Sequence, residues 1–374
     1  MIRRMLSKIK IVLLAVITVL AFALTVLAAQ SGDSAELTVD FIDVGQGDAS
    51  LLRSGGQAML IDTGTPESGT AIRLFLKKQG IEKLDYLVLT HPDADHIGGA
   101  ASVITNVPVD NVLMPDYTKD NEIYHGVMDA LDYKYLKPRA PVPDETLALG
   151  SCTVKVLGPI NSYEDPNNNS IILRVTCGDT SFMFVGDAEE NELNDIAWRY
   201  GDELDSDVYK VGHHGSFNSS SEEFLKYVTP EYSVISCADR NDYGHPHAEA
   251  LARLKAAGTH LFRTDKQGTI TIRSDGRHIS YDMAPCDDFT PGEMILKPQE
   301  VTGAGAGVPN ETLAATQVPE AGTYKYVKNT SSHRFHLPGC DSVKDMKEKN
   351  KEYSDQSRDE ITAEGYKPCQ RCMP

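Results

Sequence analysis

Positive charge is scarce in this chain. Of 374 residues, 36 are Lys or Arg against 54 Asp or Glu, a formal net charge of −18. The deficit is concentrated between residues 31 and 284, which carry 21 basic and 40 acidic groups. Such a body argues against tight, non-specific duplex binding, which depends on Lys and Arg neutralising phosphates. It leaves a phosphodiester substrate open, because bound metal ions can dominate the local field. No Ser, Cys or Thr nucleophile elbow occurs. Gly45-Gln46-Gly47 is too short for a phosphate-binding P-loop and lacks its Lys, so it reads as a hairpin turn. There is no internal repeat. With 41% apolar and 24% charged residues, the chain is neither disordered, collagen-like nor a multi-span membrane protein.

Residues 1–30 hold no acid. Arg3, Arg4, Lys8 and Lys10 precede an uncharged run from Ile11 to Ala29 that ends in small residues. This reads as a signal peptide or an N-terminal membrane anchor, placing residues 31–374 outside the cytoplasm, secreted or tethered. No Cys follows the run, which argues against a lipoprotein anchor. Between 37 and 282, short β-branched runs alternate with amphipathic stretches, with helices expected at Gly69–Gln79, Ile97–Thr105, Glu122–Tyr133, Glu189–Tyr200, Ser221–Val228 and Ala248–Ala257. The pattern is mixed α/β, with helices covering sheets. The expected organisation is a hydrolase domain over 31–284, a flexible Gly-, Ala-, Pro- and Thr-rich linker over 285–322, and a small module over 323–374.

The densest chemical signal is Thr90-His91-Pro92-Asp93-Ala94-Asp95-His96-Ile97-Gly98-Gly99. Four metal-capable side chains fall within six residues directly after an expected strand. In a tight loop, His91 and Asp93 can face one ion while Asp95 and His96 face another. Imidazole and carboxylate suit Zn, and the added carboxylate admits Mn. Gly98 and Gly99 allow close backbone approach where the loop enters a helix.

His91-x-Asp93-x-Asp95-His96 resembles the metal signature of the metallo-β-lactamase fold. Asp43-Val44-Gly45-Gln46-Gly47-Asp48-Ala49, Ile61-Asp62-Thr63-Gly64, Asn169-Ser170, Val185-Gly186-Asp187-Ala188, Lys210-Val211-Gly212-His213-His214-Gly215-Ser216 and Tyr243-Gly244-His245-Pro246-His247 follow in order. That order resembles the hydrolase domain of ComEC competence proteins and their secreted relatives. The resemblance implies an αββα sandwich. It makes Asp187 the carboxylate shared by two ions, and it makes one of His213 and His214 a ligand and the other substrate-facing, with a slight preference for His214 as the ligand. Asp62 is implied to hold the metal loop by hydrogen bonds. Asn169 stands where many members place another His ligand, a departure that puts the first ion site in question and makes Asn169 a candidate site residue. His245 and His247 either contact phosphate or act as general acid, or simply form a turn capping the next helix.

The last module carries His336-x₃-Cys340 and, after 28 intervening residues, Cys369-x₂-Cys372. Three thiolates and an imidazole make a closed zinc set, whose ion would supply much of a 52-residue module's folding energy; the alternative is a disulfide between Cys369 and Cys372 in an oxidising exterior. The pattern resembles the metal-binding domain of the Ada repair protein. His336 replaces its first Cys, so methyl transfer is not expected. Lys344, Lys347, Lys349 and Lys351 form either a nucleic-acid contact or a solvated helix face. Cys152 and Cys177 either pair across neighbouring strands or stay as buried thiols. Taken together, the residues and the resemblance imply two divalent metals, Zn or Mn, that acidify a water for attack on DNA. The alternatives are a cell-wall phosphorylcholine or teichoic-acid phosphodiesterase and a non-catalytic DNA-capture protein.

Overall fold

The computed structural model describes residues 37–295 and 325–369, apart from 339, 345 and 355. Contacts divide the chain after position 298 into two compact units. The signal or anchor expected over 1–30 lies outside the described residues. Among the described residues, no helix is long and apolar enough to cross a membrane.

The first unit holds two seven-stranded sheets. One runs, in spatial order, β15 (Ile279–Tyr281), β14 (Ile270–Ser274), β1 (Leu37–Phe41), β2 (Ser50–Ser54), β3 (Gln57–Ile61), β4 (Leu84–Val88) and β5 (Val109–Leu113). The other runs β13 (His260–Arg263), β11 (Tyr232–Ile235), β10 (Val208–Lys210), β9 (Thr180–Phe184), β8 (Ile172–Cys177), β7 (Cys152–Gly158) and β6 (Thr146–Leu149). Alternation sets the faces. On β1, Leu37, Val39 and Phe41 turn inward and join Leu52, Ile61, Val154, Val156, Phe182, Phe184 and Val208 in a core between the sheets.

Each outer face is covered by helices. Ser68–Lys78, Ala100–Asn106 and Glu122–Tyr133 bring Ile72, Leu76, Val103, Ile104, Val127 and Leu131 onto Leu51, Leu60 and Leu87. Glu190–Tyr200, Glu222–Val228 and Ala248–Ala257 bring Leu193, Ile196, Phe224, Leu251 and Leu254 onto Met183, Tyr209 and Ile235. The layers are therefore helix, sheet, sheet, helix, the αββα sandwich of the metallo-β-lactamase fold.

Parallel pairing decides where the chemistry gathers. β3, β4 and β5 are parallel neighbours, as are β9, β10, β11 and β13. Their C-terminal ends carry Asp62, the 90–99 loop, Asp187, the His213-His214 pair and Ser236. This is the edge at which open α/β sheets place their sites.

The helix expected over Ile97–Thr105 is split into Ala94–Ile97 and Ala100–Asn106. A Cβ on Gly98 would collide with the carbonyl of Ala94 and the backbone of Pro66, so the break is a close approach between loops. Cys152, the first residue of β7, and Cys177, the last of β8, form a disulfide at the end of this antiparallel pair opposite its connection.

The linker expected from residue 285 begins too early. Asp287 N–H donates to the Leu261 carbonyl at 3.0 Å, and its Oδ1 accepts from Leu261 N–H at 2.8 Å. The Arg263 guanidinium donates to the carbonyl of Asp288 at 3.0 Å and to that of Thr290. β16 (Glu293–Met294) pairs with β12 (Arg240–Asn241). A buried guanidinium requires acceptors, and a segment that reads as linker supplies them.

In the second unit, β17 (Tyr326–Asn329), β18 (Arg334–His336), β19 (Lys351–Ser354) and β20 (Lys367–Pro368) form a sheet in the order β19-β17-β18-β20. Val327, Cys340, Val343, Met346 and Cys369 make its small core. Ser357 and Glu360 close a capping box on the helix Arg358–Ala363. The basic stretch does not lie on one helix: it passes from Asp341–Lys344 through a 3₁₀ turn at Glu348–Asn350 into β19.

Candidate metal centre

The centre is built from backbone that bends sharply at strand ends. Asp62 follows β3 at φ 60°, and His213 and His214 follow β10 at φ 49° and 52°. Three non-glycine residues in the left-handed region within one site is stored strain, which persists only where the surroundings hold it. They do so here. Asp62 N–H donates to the Val88 carbonyl at 2.8 Å, and His213 N–H to the Gly186 carbonyl at 3.1 Å. Asp62 Oδ1 accepts from Thr90 N–H at 2.8 Å and Oδ2 from Thr90 Oγ1 at 2.7 Å, which ties the metal loop to β3.

Three imidazoles face one carboxylate in the same sense. His96 Nδ1 donates to Asp62 Oδ2 at 2.8 Å. His214 Nδ1 donates to the Ser236 carbonyl at 2.9 Å. His91 Nδ1 donates to Thr90 Oγ1 at 3.1 Å, whose own hydrogen goes to Asp62. Each outward Nδ1–H leaves an Nε2 lone pair facing inward. Those inward atoms meet Asp187: His96 Nε2 is 3.0 Å from Oδ1, while His91 Nε2 and His214 Nε2 are 3.9 and 3.6 Å from Oδ2. The Nε2 atoms of all three and Asp187 Oδ1 are buried without a hydrogen-bond partner.

Donor atoms of Asp95, His96, Asp187 and His214 all lie within 4.8 Å of one another. The field asks for positive charge at this point. Burial works to lower His96, yet Asp187 and Asp62 push it well above its ordinary value. His214 rises against burial to about 10, driven by Asp187 and Asp48. Asp187 is held well below the carboxylate range by His96, His214 and His213, although burial opposes this. Orphaned imidazole nitrogens, carboxylate oxygens and a cation-seeking field fit a divalent ion.

The other expected donors are placed differently. Asp93 turns to Lys119, with 2.6 Å between Oδ1 and Nζ, and is not in the four-donor set. Asn169 spends its whole amide on its own loop: Nδ2 donates to the carbonyls of Tyr163 and Asp165 at 2.9 Å, and Oδ1 accepts from Tyr163 N–H at 3.0 Å. Asn169 is therefore a loop residue and not a catalytic one. His213 stands beside the set, with Nε2 3.6 Å from Asp187 Oδ2 and Nδ1 3.4 Å from Glu189 Oε1. Its side chain is 20% exposed, against 1% for His214.

His247 also leaves the expected catalytic list. Its Nδ1 accepts from Phe217 N–H at 3.1 Å and its Nε2 donates to the Tyr243 carbonyl at 3.1 Å, so both nitrogens brace the turn before Ala248–Ala257. His245 remains at the centre, 4% exposed, its ring 5.5 Å from that of His213 and 6.1 Å from that of His214. Burial, then the neighbouring His213, His214 and His247, push it down to about 2.

Several residues of the centre escape a reading of the sequence for donors. Lys210 Nζ donates to Asp48 Oδ2 at 2.7 Å in the interior, and Asp48 Oδ1 is 3.4 Å from His214 Nδ1. Asn168 Oδ1 accepts from Glu189 N–H at 3.2 Å and Glu192 N–H at 3.1 Å, capping the helix Glu190–Tyr200 from another loop. Ser170 Oγ accepts from Asp187 N–H at 3.2 Å. Gln46 Nε2 is 3.3 Å from His245 Nδ1. The quoted motifs contain Asp48, Lys210, Gln46 and Ser170, but nothing local announces their partners.

In the second unit, His336, Cys340 and Cys369 bring their donors together, with Cys340 Sγ 3.6 Å from His336 Nδ1 and 4.0 Å from Cys369 Sγ. Cys372 lies outside the described residues.

Comparison with known proteins extends this picture. The family model described as Metallo-beta-lactamase superfamily matches residues 42–239. ComE operon protein 3 of Bacillus subtilis is 31% identical over 273 residues, 67% of this chain and 35% of that protein. Competence protein ComA of Neisseria gonorrhoeae is 33% identical over 245 residues, covering 63% and 32%. Recombination protein 2 of Haemophilus influenzae is 30% identical over 241 residues, covering 63% and 28%. The chain thus spans about a third of the length of these relatives.

Proposed function

This chain belongs to the metallo-beta-lactamase superfamily, and from that premise we propose that it is an exported, metal-dependent phosphodiesterase that cleaves DNA. The observation that carries the hydrolytic reading is the convergence of partnerless Nε2 atoms of His91, His96 and His214 on Asp187. Asp95, His96, Asp187 and His214 would hold a divalent ion, Zn or Mn. A second ion would rest on His91 and Asp187. Metals of this kind acidify a bound water and neutralise charge developing on a phosphoryl oxygen.

The protein's own groups do the rest. Asp62, Thr90 and the Ser236 carbonyl fix three imidazole orientations, so the donors need no reorganisation. His213, the most open imidazole beside Asp187, is placed to hold or pass a proton, and Glu189 faces its Nδ1. Competence and recombination, in the names of two of the relatives, support DNA as the phosphodiester. The positively charged, then apolar, N-terminal run and the Cys152–Cys177 disulfide support export to an oxidising exterior. His336, Cys340, Cys369 and Cys372 are the proposed set for one structural zinc.

The test is a substrate panel after chelation and reloading with Zn or Mn: linear, circular and single-stranded DNA, RNA, bis-p-nitrophenyl phosphate, phosphorylcholine esters and nitrocefin. DNA cleavage that chelation abolishes and metal restores is expected. Cleavage of phosphorylcholine esters with every nucleic acid left intact would overturn the nuclease reading.

A further inference from the structure

The loop between β1 and β2 reaches across to the other sheet at Gln46 as well as at Asp48. Gln46 Oε1 accepts from Ala238 N–H at 3.3 Å, and Gln46 Nε2 meets His245 Nδ1 at 3.3 Å. These two contacts settle the amide's orientation. A backbone N–H only donates, so the atom facing Ala238 is the oxygen, and the atom facing His245 is the NH₂ group. An NH₂ group only donates as well, so His245 Nδ1 accepts, and the imidazole proton resides on Nε2. No acceptor among the described residues meets that Nε2.

The ring is held in place from several sides. Asn241 Oδ1 accepts from His245 N–H at 2.9 Å, and Asn241 Nδ2 donates to the His245 carbonyl at 2.7 Å. Tyr243 stacks on the ring at 5.4 Å, and His247 meets it edge-on at 4.7 Å. His213 and His214, the imidazoles beside Asp187, lie against it.

We propose that His245 is a neutral hydrogen-bond donor for a non-bridging oxygen of a bound phosphodiester, and that Gln46 is the positioning residue that fixes its tautomer. This rests on the phosphodiesterase reading and names a contact within it. The assignment differs from a general acid. A neutral imidazole whose Nδ1 is already engaged as acceptor gives a hydrogen bond without giving up its proton, so it serves binding and charge stabilisation and not leaving-group protonation.

The experiment uses the full-length zinc-loaded chain with ¹⁵N-labelled histidine. The His245 resonances, assigned by their loss in His245→Gln, are expected to show a protonated Nε2 and a bare Nδ1. Gln46→Leu is expected to lose the single tautomer. In kinetics on DNA and on bis-p-nitrophenyl phosphate, Gln46→Leu and His245→Leu should each raise KM roughly tenfold, about the worth of one hydrogen bond. The rise should be the same for good and poor leaving groups. His245→Gln, which returns an N–H near the Nε2 position, should stay within about threefold of native. A proton on Nδ1 in the native protein overturns the proposal. So does a Gln46→Leu loss confined to kcat on the poor leaving group, or His245→Gln as damaging as His245→Leu. If the native enzyme cleaves no phosphodiester, the functional reading falls, while the tautomer measurement still judges Gln46.

Discussion

Lys210 Nζ and Asp48 Oδ2 stand 2.7 Å apart inside the molecule, 162 residues apart in the chain, and both side chains are almost fully buried. Lys210 ends a strand of one sheet, and Asp48 lies just before a strand of the other. The pair fastens the two sheets at the edge where the metal donors gather. Burial works to raise Asp48, but Lys210 and then His214 hold it down to about 2, against an ordinary 3.8. A depressed carboxyl stabilises the fold above its unfolded pKa, and that stability is lost as pH falls from about 3.8 through about 2. The shift corresponds to roughly 2 kcal/mol. Metal-free protein should therefore melt at a higher temperature than Asp48→Asn above pH 4, and the gap should close toward pH 2. A gap that does not vary with pH would remove the charge argument. Lys210→Met should cost more, about 3–5 kcal/mol, because it leaves a buried carboxylate unpaired.

Asp187 stands at the meeting point of His91, His96, His213 and His214. Asp187→Ala should lower the metal content of the first unit and leave less than about 1% of activity on a phosphodiester, with the circular dichroism spectrum unchanged. Full activity in that variant would sink the metal-centre reading.

Glu192 is wholly buried, and both its carboxyl oxygens lack a partner. Burial raises it well above its ordinary 4.5. Here the folded state binds the proton more tightly, so stability declines as pH rises from about 4.5 toward the raised folded value. Glu192→Gln should be nearly neutral at pH 4 and stabilising at pH 8 in thermal melts. Equal effects at both pH values would contradict the assignment.

Cys152 and Cys177 close a loop with a sequence separation of 25. Loop-closure entropy puts the bond at about 3 kcal/mol. Replacing both by Ser, or reducing the protein, should lower the melting temperature by a corresponding amount. Native protein purified from an oxidising compartment should show no free thiol at these positions by mass spectrometry after alkylation.

His336, Cys340 and Cys369 converge in a unit whose apolar core is small. Cys340→Ser should release one zinc per chain and unfold residues 325–369, read as loss of their dispersed amide resonances, while activity on bis-p-nitrophenyl phosphate persists. Unchanged resonances after zinc removal would rule out a structural ion.

Much of this architecture is legible in the amino-acid order, because the relevant information is local. Alternation along Leu37–Phe41 and the helical spacing of Glu122–Tyr133 mark their elements. The donors His91, Asp95 and His96 lie within six residues of one another, so any loop of that length presents them together. Asp187 and the His213-His214 pair could be placed by resemblance, since each follows the end of a strand. The rest depends on which distant segments meet. Whether Asp93 faces a metal or Lys119, and whether Asn169 faces the centre or its own loop, depends on side-chain orientation, which spacing does not encode. The 285–295 segment reads as linker until the buried Arg263 is seen to need its carbonyls. Lys210 with Asp48, and Gln46 with His245, join residues 162 and 199 positions apart. Chain order thus determined the inventory of donors and the layers that carry them. Tertiary packing of one sheet on the other decided which nitrogens lost every partner except the one they share, because only burial removes the water that would otherwise satisfy them.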